Sequence, residues 1–195
     1  MRLSERLSEI FYEEGLISSE DKEVIQFGIE SMEGNLAGVL LTFFVGILFG
    51  ALGEAILFYI WFLPLRKSIG GFHADTKLKC LLTSAMALLV SFALFTLFRY
   101  PNLLYLVFSG VFVCIIFIFA PVDNPGKKFD APERSVYRRR SRIVLTVESL
   151  LFAVSYYNSW NVIIISLCMA FFVASISLLL GLVKNIKYSR HESKT

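Results

Sequence analysis

Long polar stretches are what this chain lacks. Only 18% of its 195 residues are charged, whereas 56% belong to the hydrophobic class. Mean hydropathy is +0.66. A soluble domain of this length carries more charge. Here the apolar residues gather into runs, and ~20 such residues cross a bilayer. The chain therefore reads as an all-α, polytopic membrane protein. The runs are unbroken rather than alternating, which argues against a membrane β-barrel.

Cysteine and histidine are scarce too. The three cysteines, Cys80, Cys114 and Cys168, are an odd number without metal-ligand spacing, and the last two sit inside apolar runs. Neither a disulfide framework nor a metal centre is expected. No cofactor and no nucleic-acid partner is expected either. The first 33 residues carry nine acidic side chains and no apolar core of signal length, so the N-terminus should be retained. Internal repeats and low-complexity segments are missing.

What is present begins with two amphipathic segments. Leu3, Leu7, Ile10 and Phe11 recur at helical spacing among Arg2, Glu5, Arg6, Glu9 and Glu13. Gly15 ends that helix, and Ser18-Ser19-Glu20-Asp21 starts another, with Ile25, Gly28, Ile29 and Met32 as its apolar stripe. Both are too polar to span a bilayer and suit its surface or the side of a bundle. Residues 1–34 form this N-terminal part, 35–183 a membrane domain and 184–195 a tail.

The membrane domain holds six apolar runs, roughly 35–52, 54–65, 80–98, 102–121, 143–157 and 160–183. The first two together give only ~31 residues, so a tight hairpin, shielded partial spans or one bent helix all satisfy them. Charge orients the chain. Segment 66–79 carries Arg66, Lys67, Lys77 and Lys79, and segment 122–142 carries seven basic residues from Lys127 to Arg142. The intervening loops are short and nearly uncharged. The positive-inside rule puts both basic segments, and both termini, in the cytoplasm of a plasma-membrane protein with about six transmembrane helices. Glycines 46, 50 and 53 permit close helix packing, compatible with a homodimer.

One stretch concentrates rare residues: GGFHADTKLKC, residues 70–80. On a continuous helix His73 and Cys80 would lie two turns apart, ~10 Å along the axis, too far for a hydrogen bond. A working pair needs a bend. Gly70-Gly71 supplies a non-helical signal, and Asp75 is a suitable N-cap for a helix starting at Thr76. Cys80 would then sit near a helix N-terminus beside Lys77 and Lys79, surroundings that favour a nucleophilic thiolate. His73 would take the thiol proton and return it to a leaving amine. Arg66 would orient a carboxylate or substrate carbonyls. Glu148, inside an apolar run, is a candidate for orienting His73, or binds an arginine or a backbone group. Spacing alone also fits a histidine and a cysteine with no joint role.

The stretch RKSIGGFHADTKLKC (66–80), together with APVDNPGKKFDAPERSVYRRRSR (120–142), resembles the accessory gene regulator protein B (AgrB) family. The likeness covers essentially the whole chain. It implies a membrane cysteine endopeptidase of a quorum-sensing system, whose partner is an AgrD-like propeptide. Cys80 would attack the propeptide, with His73 as base and then acid. A thioester acyl-enzyme would form, and a cysteine or serine within the peptide would close a thiolactone or lactone. Arg66 and Gly71 fall on motif positions that support the site. Lys127 and Lys128 match basic positions linked to substrate handling. Two other readings compete: a peptide transporter or exporter, and a non-enzymatic membrane scaffold.

Overall fold

The computed structural model describes residues 3–71, 76–97, 103–123 and 129–192. Among them are seven helices: α1 (Leu3–Glu13), α2 (Ser19–Leu48), α3 (Leu52–Ile69), α4 (Lys77–Leu97), α5 (Leu103–Phe119), α6 (Ala131–Tyr157) and α7 (Asn161–Glu192). No strand occurs among the described residues; one isolated parallel bridge joins Gly70 and Val122. The expected all-α class is what forms. The chain divides into two compact units, Met1–Leu41 and Thr42–Thr195.

In the first unit α1 folds back antiparallel on the start of α2. Ser4 Oγ donates to Glu30 at 3.2 Å, and Lys22 Nζ reaches Glu9 at 2.9 Å. The buried face of α1 includes Ser4 and Ser8, whereas Ile10 is exposed. Of the expected stripe, Leu7 and Phe11 are half-buried beside these serines. The second amphipathic segment does not stop before the first apolar run; α2 carries both in one helix.

In the second unit a sharp turn separates the first two apolar runs. Gly50 adopts φ +62, and Ala51 N–H donates to Gly46 O at 2.8 Å. A Cβ at Gly46 would lie 2.5 Å from that of Ala55. Each of the six runs falls on its own helix. By length and composition, α2, α4 over Leu78–Phe95 and α7 over Asn161–Lys187 are long and apolar enough to cross a membrane; α5 is apolar but shorter.

Helix α7 is the hub of this unit, packing against α3, α4, α5 and α6. It is buried along 67% of its most apolar window, against 17% for α4. Phe171 meets Phe152 of α6, and Phe172 meets Phe95 of α4 and Phe112 of α5. Helices α4 and α5 turn Leu81, Leu82, Met86, Leu106, Val107 and Phe117 outward. In water such surfaces would be a liability; in a bilayer they meet lipid at no hydrophobic cost. Helix α6 changes character along its length. Its first half exposes Arg138, Arg139 and Arg140, and its second half buries the stripe Leu145, Glu148, Phe152 and Ser155.

Candidate active site at the start of α4

Helix α3 ends where its sequence cannot continue. Gly70 and Gly71 take φ +70 and +115, a region that L side chains rarely enter. The reversal is clamped from three sides. Arg66 Nη1 donates to Gly70 O, so the last turn of α3 is capped by its own guanidinium. Val122 N–H donates to Ile69 O at 2.9 Å, and the Val122 carbonyl closes on Gly70. Ser177 of α7 stands against Gly71. The loop holding Val122 is itself fixed: Asn185 Nδ2 donates to Asp123 O at 2.8 Å, and Arg134 pairs with the Asp123 carboxylate at 3.1 Å.

Cys80 belongs to the first turn of α4. Thr76 caps that helix: Lys79 N–H donates to Thr76 Oγ1 at 3.2 Å, and Cys80 N–H donates to Thr76 O at 3.0 Å. The helix starts at Lys77, one residue after the expected Thr76. Threonine takes the cap because its hydroxyl reaches the N3 amide directly. Cys80 is half-buried and carries no disulfide. The helix dipole is positive at this end, which favours negative charge on the sulfur side. Burial pulls the Arg66 guanidinium below its usual value, and nearby Cys80 acts in the opposite direction. The thiol and the guanidinium are thus electrostatic neighbours, although their residues belong to different helices.

His73 lies outside the described residues, as do Asp75, Lys127 and Lys128. Of the sequence-based candidates, Arg66, Gly71 and Cys80 come together. Glu148 is buried on α6, and neither of its carboxylate oxygens finds a hydrogen-bond partner among the described residues. It makes no hydrogen bond to Arg66 or Cys80. Cys168 is packed in α7, where Ser109 Oγ donates to its sulfur at 3.4 Å, and Cys114 is exposed on α5. Neither approaches the Arg66–Gly71 corner. No cluster of histidine, cysteine and acidic side chains suited to a metal occurs among the described residues.

Sequence reasoning missed Val122, Ser177 and Asn185. Each is distant in sequence from residues 66–80, and none carries a local motif. The clamp predicts a cost for filling the corner. In Gly71→Ala the new methyl would lie 2.6 Å from Arg66 Nη1, at a φ that strains alanine. The folded protein should lose about 1–3 kcal/mol of stability, the strain that moving the guanidinium must relieve. An unfolding midpoint equal to that of wild type would show that the corner tolerates movement.

The sequence profile of the accessory gene regulator B family matches residues 4–180. Among curated relatives, an AgrB-like protein of Clostridium beijerinckii is 29% identical over 198 residues, covering 99% of this chain and 95% of its own. One from Clostridium perfringens strain SM101 is 28% identical, covering 83% and 81%. One from Listeria monocytogenes serotype 4b is 24% identical, covering 76% of each chain. No solved structure matches.

Proposed function

The chain belongs to the accessory gene regulator B family and acts in an agr quorum-sensing system in the membrane, and from that premise we propose that it is a cysteine endopeptidase that cleaves and cyclises an AgrD-like propeptide. One observation carries the reading: Cys80 stands in the first turn of α4, which Thr76 caps, and Arg66 is held on Gly70 O at the chain reversal that precedes that helix. A nucleophile at a helix start beside a fixed cation is the arrangement that acyl transfer through a thiolate requires.

In the proposed reaction His73 removes the thiol proton, and Cys80 attacks a backbone carbonyl of the propeptide. The C–N bond breaks, and His73 gives its proton to the leaving amine. The acidic tail departs. The acyl group stays on sulfur as a thioester, which retains enough transfer energy for a side-chain thiol or hydroxyl of the peptide to displace Cys80 and close a ring. The substrate is a short peptide with an amphipathic leader, a central cysteine or serine and an acidic tail, encoded beside this chain's own gene. The leader would bring the scissile bond to the membrane boundary where Cys80 sits. The six apolar runs serve as transmembrane helices, with both termini and the active-site loop in the cytoplasm of a plasma-membrane protein, and residues 1–34 and 184–195 flank that domain. Glu148 is the candidate acid for orienting His73 in this reading.

Lys127 and Lys128 meet the acidic tail in this reading, and the long-range attraction gives a graded prediction. The double reversal Lys127→Glu/Lys128→Glu raises KM severalfold at low salt. The difference shrinks as salt shortens the Debye length to about 3 Å near 1 M. An unchanged KM at low salt would remove both lysines from the substrate path. The reading as a whole is tested by co-expressing the protein with that propeptide. Wild type releases the tail and Cys80→Ala does not; equal release by both would sink it.

A further inference from the structure

A basic cluster meets an apolar surface where the end of α5 lies beside the first half of α6. The Arg142 guanidinium lies 4.8 Å from the centroid of the Phe117 ring, a cation–π distance. Arg142 and Phe117 are both exposed, and so are their chain neighbours Ile143 and Ile118. Arg138, Arg139 and Arg140 are exposed on the preceding turn, and none of the four arginines forms an ion pair among the described residues. At about 100° per residue, Arg138 and Arg139 project within about 60° of Arg142, whereas Arg140 projects about 160° away, on the other flank. Further along α6 the exposed surface is apolar, with Ile143, Val147 and Leu150 recurring at helical spacing. Helix side chains lean toward the N-terminus, so the arginine heads reach away from this stripe.

The ligand that fits is anionic at one end and apolar at the other. A phosphate accepts paired hydrogen bonds from a planar guanidinium. An acidic peptide would answer the charge but leave Phe117, Ile118 and Ile143 uncovered. We propose that Arg138, Arg139 and Arg142, with Phe117, bind an anionic phospholipid: the guanidinium groups hold its phosphate, and an acyl chain lies along Ile143, Val147 and Leu150. Stacking on Phe117 fixes the Arg142 head before the lipid arrives, which lowers the ordering cost of binding. The site needs the membrane location and not the peptidase reaction. It also differs from a topology signal, which basic residues supply by charge alone, whichever way they project.

The test titrates the full chain, purified in a non-ionic detergent, with dioleoylphosphatidylglycerol or dioleoylphosphatidylcholine and counts bound lipid by native mass spectrometry. Phosphatidylglycerol should bind at least about fivefold more tightly than phosphatidylcholine, which has the same chains and phosphate but no net charge. Arg142→Gln should weaken phosphatidylglycerol about fivefold, the effect of one arginine at a membrane surface. Phe117→Leu keeps the apolar surface and every charge but removes the ring, and should weaken it about two- to fivefold. Phosphatidylcholine binding should be unchanged in both variants, which shows that they are folded. Arg140→Gln, on the other flank, should change phosphatidylglycerol binding less than about twofold, although it removes the same charge. Equal affinity for the two lipids overturns the site. So does an Arg140→Gln effect as large as that of Arg142→Gln, because the attraction would then be diffuse surface charge. Displacement of phosphatidylglycerol by inorganic phosphate at matched ionic strength, or by a short acidic peptide, also overturns it, since the arginines would then serve a free anion or a peptide rather than a lipid.

Discussion

Cys80→Ala should release no measurable tail from the propeptide, a loss of at least about 10⁴-fold, because the covalent intermediate of the proposed reaction forms on the Cys80 sulfur. The protein itself should persist. Cys80 is half-buried at the first turn of α4, its backbone bond to Thr76 does not involve the side chain, and alanine is the better helix former. Loss of activity at unchanged membrane level separates a missing nucleophile from a misfolded chain. Cys80→Ser is the sharper variant. An unassisted hydroxyl attacks poorly, and an ester exchanges less readily than a thioester, so slow cleavage without ring closure is the most it should give. Full processing by Cys80→Ala would return the residue to plain helix packing.

His73→Ala should lower kcat on the propeptide by about 10²–10⁴-fold, the usual contribution of a positioned acid–base group. His73 has two tasks in the proposed reaction, and they can be separated. Expulsion of an amine needs a proton; expulsion of a thiolate does not. A propeptide analogue with a thioester at the scissile bond should therefore recover most of the acid component in His73→Ala. The residual defect would measure the base component alone. Equal losses on amide and thioester would mean that His73 acts only before bond cleavage, and no loss on either would take it out of the chemistry.

The helical class was legible because it depends on apolar run length, a local property, and all six runs fall on helices. Their hierarchy was not legible. Runs 80–98 and 160–183 both read as spans, yet α4 is largely uncovered and α7 is enclosed on several sides. Which span sits in the middle depends on tertiary partners that periodicity does not encode. The joint between runs 35–52 and 54–65 was similarly undetermined; Gly50 breaks the helix there, and Gly46 lets Ala55 approach.

At the site, the glycine break before α4 and the placement of Cys80 in its first turns followed from local signals. The helix starts one residue later than expected, because Asp75 and Thr76 are both acceptable caps and sequence does not choose between adjacent ones. Gly71 was identified as a motif position, but the reason for glycine there comes from Arg66 and Ser177, one on each side of it. Ser177 and Val122 carry no signal of their own. They matter because the middle of α7 and the loop after α5 pass beside residues 69–71, which is a fact of packing rather than of sequence pattern.

The account stands on Cys80 carrying the acyl group. The direct measurement uses a propeptide whose ring-closing cysteine or serine is replaced by alanine, so that the acyl-enzyme has no internal acceptor. After incubation and rapid quenching, intact-mass and peptide-mapping spectrometry should find the peptide, less its acidic tail, on Cys80, in a bond cleaved by neutral hydroxylamine. Tail release with Cys80 unmodified at every time point, or an adduct on any other residue, would contradict the mechanism.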